Sequence, residues 1–213
     1  MDIILLHRQK NSEEAIYAAK SLKNIKHDNL YVIGDKIVGT ARIEHIRHDW
    51  ARLSKYHDQI SKLLQICDDE RISNDFIATA DDVFIMEPWQ PVNYNRSTLT
   101  QHIAWRKRFD SYSRSLKFTE QWLKRNGYPT LSYELHSPFI YNKKLLRSLI
   151  LKLSMKPGAD WQIRSLYGNV YGVKTEYHQD FKNPHDPFEL PILSTSKRTF
   201  SGELGKFIRS VIS

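Results

Sequence analysis

Two adjacent carboxylates, Asp81 and Asp82, stand directly after an apolar run over 75–80 that predicts a strand. Burying an unpaired charge is costly, so two charges at the end of a buried strand indicate a binding site or a turn. Their hard oxygen atoms suit Mg2+ or Mn2+, and such a cation could hold a substrate that carries phosphate. A helix cap or an ordinary turn is the alternative, because aspartate is favoured in both.

Other polar residues follow predicted strands in the same way. His7 and Arg8 come after a strand predicted over 3–6, and Asp35 comes after a strand predicted over 30–33. Ligands of α/β sheets bind beyond the carboxyl ends of the strands. These three residues are therefore candidates for the same site as the acidic pair.

A further group of candidates lies in the second half of the chain. Alternation along a strand predicted over 131–136 places Glu134 and His136 on one face. The two could transfer a proton, or His136 could bind metal or phosphate. Arg164 could hold a phosphate through a bidentate contact. The alternatives are a histidine hydrogen-bonded to a surface loop and an ordinary arginine on a helix surface.

Basic residues recur in two predicted helices. In the helix over 49–66, Arg52 and Lys55 could neutralise the phosphates of a donor substrate, or they could simply form a solvated face. The stretch over 105–125 mixes basic and aromatic residues, a pattern that can follow a nucleic-acid backbone and stack on bases. An amphipathic helix with its aromatics in the core is the favoured alternative. The candidates for nucleic-acid contact in this stretch are Arg106, Lys107 and Arg114.

The elements around these residues predict an α/β fold. A strand, a helix over 12–24 and a second strand open the chain, which favours a central, mostly parallel sheet flanked by helices. We interpret residues 1–213 as one domain with a loop-rich tail from about 180. Further helices are predicted over 108–126, 141–154, 160–172 and 202–211.

Composition limits the classes of protein to consider. The chain has 213 residues, 40% of them hydrophobic, with a net charge of +8 and a pI near 9.4. This charge favours a polyanionic partner. No apolar stretch reaches the roughly 18–20 residues that span a bilayer, and the N-terminal apolar run is too short for a signal peptide. The single cysteine, Cys67, excludes an intrachain disulfide. We expect no membrane association and a cytoplasmic location, the host cytoplasm if the protein is viral.

Four short motifs together resemble a known group. The run from Phe76 to Phe84, with its strand followed by Asp-Asp, resembles the acidic motif of GT-A glycosyltransferases, and more closely that of Stealth-type sugar-phosphate transferases. His136-Ser137-Pro138 is similar to the later His-x-Pro motif of the Stealth family, and Ile163-Arg164-Ser165 to its Phe-Arg-Ser element. The opening through Tyr31–Asp35 resembles the nucleotide-binding start of a GT-A fold. By contrast, the chain has no Walker-type loop, GxGxxG, HExxH or GxSxG.

The resemblance implies a single GT-A-like (Rossmann-like) domain that uses a nucleotide sugar, with a UDP-sugar as the leading donor. In this hypothesis Asp82, helped by Asp81, holds Mn2+ or Mg2+ on the donor diphosphate. Glu134 or His136 deprotonates or orients the acceptor hydroxyl, and Arg164 stabilises phosphate. The residues expected near the donor are His7, Arg8, Asp35, Arg52 and Lys55.

The acceptor stays open at this point. The basic charge suggests a polyanion, and hydroxymethylated bases in the DNA of bacterial viruses are one candidate, with a capsule or cell-wall glycan as the main alternative. The reaction itself could instead be Stealth-type transfer of a sugar phosphate. A different class is a non-enzymatic nucleic-acid-binding protein that uses the stretch over 105–125.

Overall fold

The computed structural model describes residues 1–8, 13–39, 43–49, 54–106, 109–153, 159–184 and 186–212. In chain order the strands are β1 (Asp2–His7), β2 (Leu30–Gly34), β3 (Glu44–Arg47), β4 (Asp75–Ala80), β5 (Val83–Ile85), β6 (Tyr94–Asn95), β7 (Ser97–Thr98), β8 (Leu131–Ser132), β9 (Phe139–Asn142), β10 (Glu176–Tyr177) and β11 (Ile192–Ser194). The helices are α1 (Glu13–Ser21), α2 (Lys55–Asp68), α3 (Leu99–Ala104), α4 (Ser111–Arg125), α5 (Lys143–Lys152), α6 (Ile163–Tyr171), α7 (Lys197–Phe200) and α8 (Glu203–Val211).

A five-stranded sheet lies at the centre, in the order β3-β2-β1-β4-β9. The first four of these strands run parallel, and β9 is antiparallel to β4. Ile3, Ile4 and Leu5 of β1 are fully buried because elements cover both faces of the sheet. Ile4 faces α2, α4, α5 and α6, whereas Ile3 and Leu5 face α1 and the β5–β11 pair. The predicted mostly parallel α/β architecture is therefore confirmed.

The order of the strands marks one edge of the sheet as a binding edge. From β1 the chain moves outward to β2 and β3, and it then returns through α2 to place β4 on the other side of β1. Such a reversal opens a crevice beyond the carboxyl ends of the two strands concerned. Here those ends are His7 of β1 and Ala80 of β4, so Asp81 and Asp82 follow directly at the crevice.

The segment over 131–142 differs from the sequence prediction. The predicted strand over 131–136 is limited to β8, which pairs with β7 outside the central sheet. The fifth strand is β9, where the sequence predicted the start of a helix at 141. Phe139 and Tyr141 of β9 are buried and pack together with ring centroids 4.7 Å apart. Aromatic burial on alternate residues therefore makes this segment a strand, and α5 begins at Lys143, after the N-cap Asn142.

Other boundaries shift for local reasons. Helix α2 begins at Lys55 rather than at 49, because Ser54 has an extended backbone and caps the helix by accepting a hydrogen bond from the His57 amide. The segment over 88–97 contains β6 and leads through β7 into α3, a short helix that the sequence analysis did not predict. Cys67 is buried in α2, and burial raises the pKa of its thiol to about 12, as expected for an inert cysteine. No helix within the described part of the chain has the length and apolar character needed to cross a membrane.

Candidate functional site

A cavity of about 610 Å3 opens beyond the carboxyl ends of β1 and β4. It collects most of the residues that the sequence had nominated, from both halves of the chain. Nine charged residues and one histidine contribute to its wall, and the positive and negative groups are nearly balanced. They are Arg8, Lys55, Asp81, Asp82, Arg106, Asp110, Glu134, His136, Arg164 and Lys182.

Asp81 is held from behind by a buried histidine. The ring Nδ1 of His7 lies 2.6 Å from Asp81 Oδ2, and the Arg8 backbone N–H points at the same oxygen from 3.4 Å. His7 is 0% exposed, so it orients Asp81 and does not line the cavity. Its carbonyl oxygen in turn accepts a hydrogen bond from the Lys62 ammonium group at 2.9 Å. The structure thus places His7 behind the acidic pair, and its role near the donor stays a prediction.

Asp82 is paired with a lysine from the far end of the chain. Lys182 Nζ lies 3.1 Å from Asp82 Oδ2, and the backbone carbonyl of Asp82 accepts a hydrogen bond from the Thr195 amide at 3.1 Å. Glu14 of α1 is close enough to add to the local negative charge. Burial raises the pKa of Glu14, and the charges of Asp82 and Asp81 raise it further against the Thr195 hydrogen bond.

Glu134 and Arg164 brace each other's segments. The Arg164 guanidinium is buried, and its Nη1 donates to the carbonyl oxygens of Leu135 and, at 2.8 Å, Ser137. Oε1 of Glu134 accepts from both the amide and the hydroxyl of Ser165, each at 2.9 Å. Burial raises the pKa of Glu134, while the charge of Arg164 and these hydrogen bonds partly oppose the rise. These side-chain bonds replace strand pairing for residues 133–137, which is why the predicted strand is absent there.

His136 forms a dyad with Asp180. Its Nδ1 lies 3.0 and 3.1 Å from the two carboxylate oxygens of Asp180, and its backbone amide donates to Oδ1 at 3.0 Å. Burial disfavours the Asp180 carboxylate, but the bonds from His136 and the charge of Arg96 outweigh it and hold the pKa of Asp180 well below its usual range. Because an ionised carboxylate only accepts hydrogen bonds, we assign the proton of neutral His136 to Nδ1. Nε2 is then the basic nitrogen of the ring.

Besides Arg8 and Arg164, the basic groups of the cavity come from α2, the corner between α3 and α4, and the tail. Burial lowers the pKa of Lys55, and the charges of Arg8, Arg106 and Lys182 lower it further against the effect of Asp110. Arg106 donates to Asp110 Oδ2 at 2.7 Å and to Ser113 Oγ at 2.9 Å. It is therefore fixed at the cavity by local bonds.

Besides His7, two nominated residues that the structure describes, Asp35 and Arg114, do not line this cavity. Asp35 follows β2, one strand away from the crevice, and Arg114 is exposed on the outer side of α4. Arg52 and Lys107 lie outside the residues that the structure describes. Among the aromatic residues of 105–125, Trp122 packs on Trp161, as expected for an amphipathic helix with its aromatics in the core, whereas Trp105 is exposed.

The acidic pair fits one kind of cation site. Each carboxylate uses its Oδ2 atom for the contacts given above. Among the described residues, no group of three or more His, Cys, Asp or Glu side chains could enclose a metal ion. Mg2+ and similar ions are commonly held by one or two carboxylates, with water and substrate phosphate completing the shell. The donor set of Asp81 and Asp82 therefore fits a cation that binds together with a phosphate-bearing substrate.

Several residues of the site carried no usable signal in the sequence. Asp180 and Lys182 lie in the tail that was expected to be loop-rich, 44 residues from His136 and 100 from Asp82 in the chain. Tyr56 and Gln59 stand next to Lys55 on the first turns of α2, so the nomination of Lys55 could have pointed to them. The remaining wall residues that were missed are Asp110, Tyr112 and Gln162.

A second cavity, of about 680 Å3, lies at the opposite edge of the sheet, near the amino ends of β2 and β3. It is lined by Lys20, Lys23 and residues around Asp28 and Glu44. The acidic pair and the His136 dyad are remote from it, since they occupy the carboxyl edge. We therefore locate the candidate site in the 610 Å3 cavity.

Comparisons with known proteins agree with the architecture. A structure of the galactosyltransferase LgtC, in complex with donor and acceptor sugar analogues, matches 100% of this chain and 95% of its own length, with a TM-score of 0.52 and 13% identity. A structure of an LgtC active-site mutant matches 72% of this chain and 61% of its own, with a TM-score of 0.39 and 13% identity, a similarity too low to support an argument. No protein-family model and no curated protein matches the sequence. The fold is thus that of the GT-A-like glycosyltransferases.

Proposed function

We propose that this protein is a glycosyltransferase that moves a sugar from a nucleotide-sugar donor to a hydroxyl group. The observation that carries the proposal is the meeting of Asp81 and Asp82 with Lys55, Arg8 and Lys182 in one cavity, at the switch point of a GT-A-like sheet. A nucleoside diphosphate has the opposite charge to the three basic residues, and its phosphates could share a cation with the two acidic residues. The fold similarity adds support through LgtC, whose structure holds donor and acceptor sugar analogues.

In this proposal the donor diphosphate lies between the acidic pair and the basic residues. Mn2+ or Mg2+ on Asp81 and Asp82 would supply Lewis-acid stabilisation of the diphosphate leaving group. The chain's own residues add fixed positive charge where negative charge develops. Lys182 can change its partner from Asp82 to phosphate, and Arg8 and Lys55 reach the cavity from the ends of β1 and α2. UDP is the proposed nucleotide.

Two groups compete for the role of proton acceptor. His136 presents Nε2 as a base while Asp180 fixes its ring, which is the arrangement of a base oriented by a carboxylate. Glu134 is held by Ser165 at the same wall, and burial raises its pKa, which makes it a better proton acceptor than an ordinary glutamate. Replacing His136 with Ala should lower kcat by about 10²–10⁴-fold if it is the base. Asp180→Asn should lower kcat with little change in the KM for the donor, whereas a base role for Glu134 predicts that Glu134→Gln has the larger effect.

The donor part of the proposal is tested by binding. Isothermal titration calorimetry with UDP and UDP-sugars, with Mn2+ or with EDTA, should show tighter binding with the metal. Asp82→Asn should abolish that gain, whereas Asp68→Asn should retain it, because Asp68 pairs with Arg147 at the far end of α2. The metal–donor model would be contradicted if UDP bound equally well with Mn2+ and with EDTA, and if Asp82→Asn did not change that binding.

The reaction class and the acceptor are tested by products. Sugar transfer releases a nucleoside diphosphate, whereas Stealth-type transfer of a sugar phosphate releases a nucleoside monophosphate, and chromatography separates the two. The proposed acceptors are hydroxymethylated DNA and a surface polysaccharide. Mass spectrometry of modified DNA, unmodified DNA and oligosaccharides after incubation with nucleotide sugars identifies the one that gains mass.

The non-enzymatic alternative makes a separate prediction. A nucleic-acid-binding protein should lose DNA binding on charge reversal at Arg114, an exposed residue outside the cavity wall, with no turnover of any nucleotide sugar. Charge reversal at Arg106 is less informative because it also breaks the contacts with Asp110 and Ser113. Lys107→Glu is tested in the same DNA-binding assay, with the same expected loss of binding.

A further inference from the structure

A smaller cleft adjoins the candidate site on the other side of Asp180. Its volume is about 320 Å3, and it is lined by Arg96, Trp105, Tyr177, Gln179 and Asp180. The Trp105 side chain is 53% exposed and that of Tyr177 is 66% exposed. Large aromatic side chains usually contribute to a core or an interface, so two that are exposed around one concave surface indicate a binding site.

The Trp105 ring is held by a neighbouring guanidinium, and the backbone of Tyr177 is paired with β6. In the segment that follows β10, His178 stacks on the buried Phe181 with ring centroids 4.1 Å apart, and Tyr177 is exposed next to it. The Arg96 guanidinium lies 5.6 Å from the Trp105 ring centroid and also bonds to Asp180 at 3.2 Å. Contacts within the chain thus position Trp105 and Asp180 before any ligand binds, which lowers the entropic cost of binding one.

We propose that this cleft is an acceptor subsite, and that it takes an uncharged pyranose ring of a carbohydrate acceptor against Trp105 and Tyr177. The inference rests on the proposed function and names its acceptor class. The C–H face of a pyranose is apolar and matches an aromatic ring, while its hydroxyl groups need donors and acceptors at the edge. Gln179, Arg96 and Asp180 supply both kinds of group.

The position of Asp180 connects the cleft with the proposed chemistry. One carboxylate lines the cleft and also fixes the His136 ring that lines the larger cavity. A carbohydrate seated in the cleft would thus lie next to the His136 dyad, from which an adjoining hydroxyl is within reach. The cleft and the donor cavity are thus linked through the contact between Asp180 and His136.

The charge of the cleft favours a sugar over a nucleic acid. Its one basic side chain, Arg96, is paired with its one acidic side chain, Asp180, so the described lining has no net charge. A nucleic-acid strand is bound mainly through unpaired positive charge, although its bases could stack on the same two rings. An uncharged, polyhydroxylated ring needs no excess of positive charge.

Saturation-transfer NMR on the full chain tests the proposal. The probes are the methyl pyranosides of glucose, galactose, mannose and N-acetylglucosamine, together with oligosaccharides on a glycan array, and a ten-nucleotide thymidine oligomer serves as the competing ligand. At least one sugar should bind through its C–H face. Trp105→Ala and Tyr177→Ala should weaken binding by roughly ten-fold or more, the scale of a lost stacking contact. Tyr177→Phe should retain binding, and so should Phe188→Ala, which removes an exposed ring outside the cleft.

The outcomes separate the two proposals. If no sugar binds in a Trp105-dependent way, or if the thymidine oligomer alone depends on Trp105 and Tyr177, the acceptor-subsite proposal is overturned. Calorimetry should give the Trp105→Ala variant the same affinity for UDP with Mn2+ as the wild type. Loss of sugar binding with retained UDP binding supports the subsite. Absence of UDP binding in the wild type itself rejects the donor model and leaves the result on the cleft standing.

Discussion

The buried Lys62–Asp58 pair lies beneath the candidate site, and its removal gives a sharp prediction. Lys62 Nζ is 2.9 Å from Asp58 Oδ2, and the two side chains are only 6% and 4% exposed. Lys62→Met keeps most of the volume and removes the lysine partner of Asp58, while His48 Nε2 remains 3.5 Å from the carboxylate. Removing one partner of a buried ion pair costs about 3–5 kcal/mol, because the remaining charge loses that counter-charge where water cannot replace it. For a chain of this length that corresponds to a fall in Tm of roughly 6–20 °C.

The matched control is a lysine–carboxylate pair at a similar distance that is not buried. Lys206 lies 2.7 Å from Glu203, yet these side chains are 68% and 87% exposed. Lys206→Met should change the free energy of unfolding by less than about 1 kcal/mol. Urea unfolding followed by circular dichroism measures both variants, with a constant m-value as the criterion for comparison.

The double variant Lys62→Met, Asp58→Leu distinguishes charge from packing. Because it removes both charges, it should recover most of the stability lost by Lys62→Met alone. A loss below about 1 kcal/mol for Lys62→Met would refute the reasoning, since it would mean that Asp58 is effectively solvated. Lys62→Met also removes the hydrogen bond that the His7 carbonyl accepts from Lys62. If this variant lost more UDP–Mn2+ binding than its unfolded fraction explains, the pair would be linked to the orientation of Asp81.

Two further predictions concern stability. Burial, with the nearby charge of Arg96, lowers the pKa of His102 to about 4, so the unfolded chain binds the proton more tightly. Stability should be complete above about pH 6.5 and fall by up to about 1.4 kcal/mol per unit down to pH 4. His102→Gln should flatten this slope in urea titrations, and an unchanged slope would contradict it. Gly34 has φ +115, and an added Cβ would lie 1.9 Å from the His7 carbonyl oxygen. Gly34→Ala should therefore cost about 2–6 kcal/mol. Gly39→Ala, with φ +89 but open space, should cost only the strain of about 1–3 kcal/mol, and equal losses would show that the close contact is unimportant.

Much of the fold could be predicted because its signals are local. The apolar runs of β1 and β4, each followed by polar residues, predicted two buried strands with polar ends. Both strands are present in the central sheet. The end of helix α4 was predicted to within a residue, since Asn126-Gly127 ends it, whereas its start lies three residues later than predicted, after the N-cap Asp110. The failures fall where local patterns compete. In the segment 131–142, hydrogen bonds from Arg164 and Ser165 replace strand pairing for residues 133–137. The buried aromatic residues of β9 instead place residues 139–142 in the sheet.

The same contrast holds for the site. The sequence by itself determined that Asp81 and Asp82 end a buried strand, because burial of the strand and exposure of its end are both written in consecutive residues. It also nominated Glu134, His136 and Arg164. Only the tertiary structure decided that His7 stands behind Asp81, that Lys182 faces Asp82 and that Asp180 orients His136. Those pairs join residues 44–100 positions apart, and contacts at such distances arise from chain topology and close packing, for which neighbouring residues carry no signal.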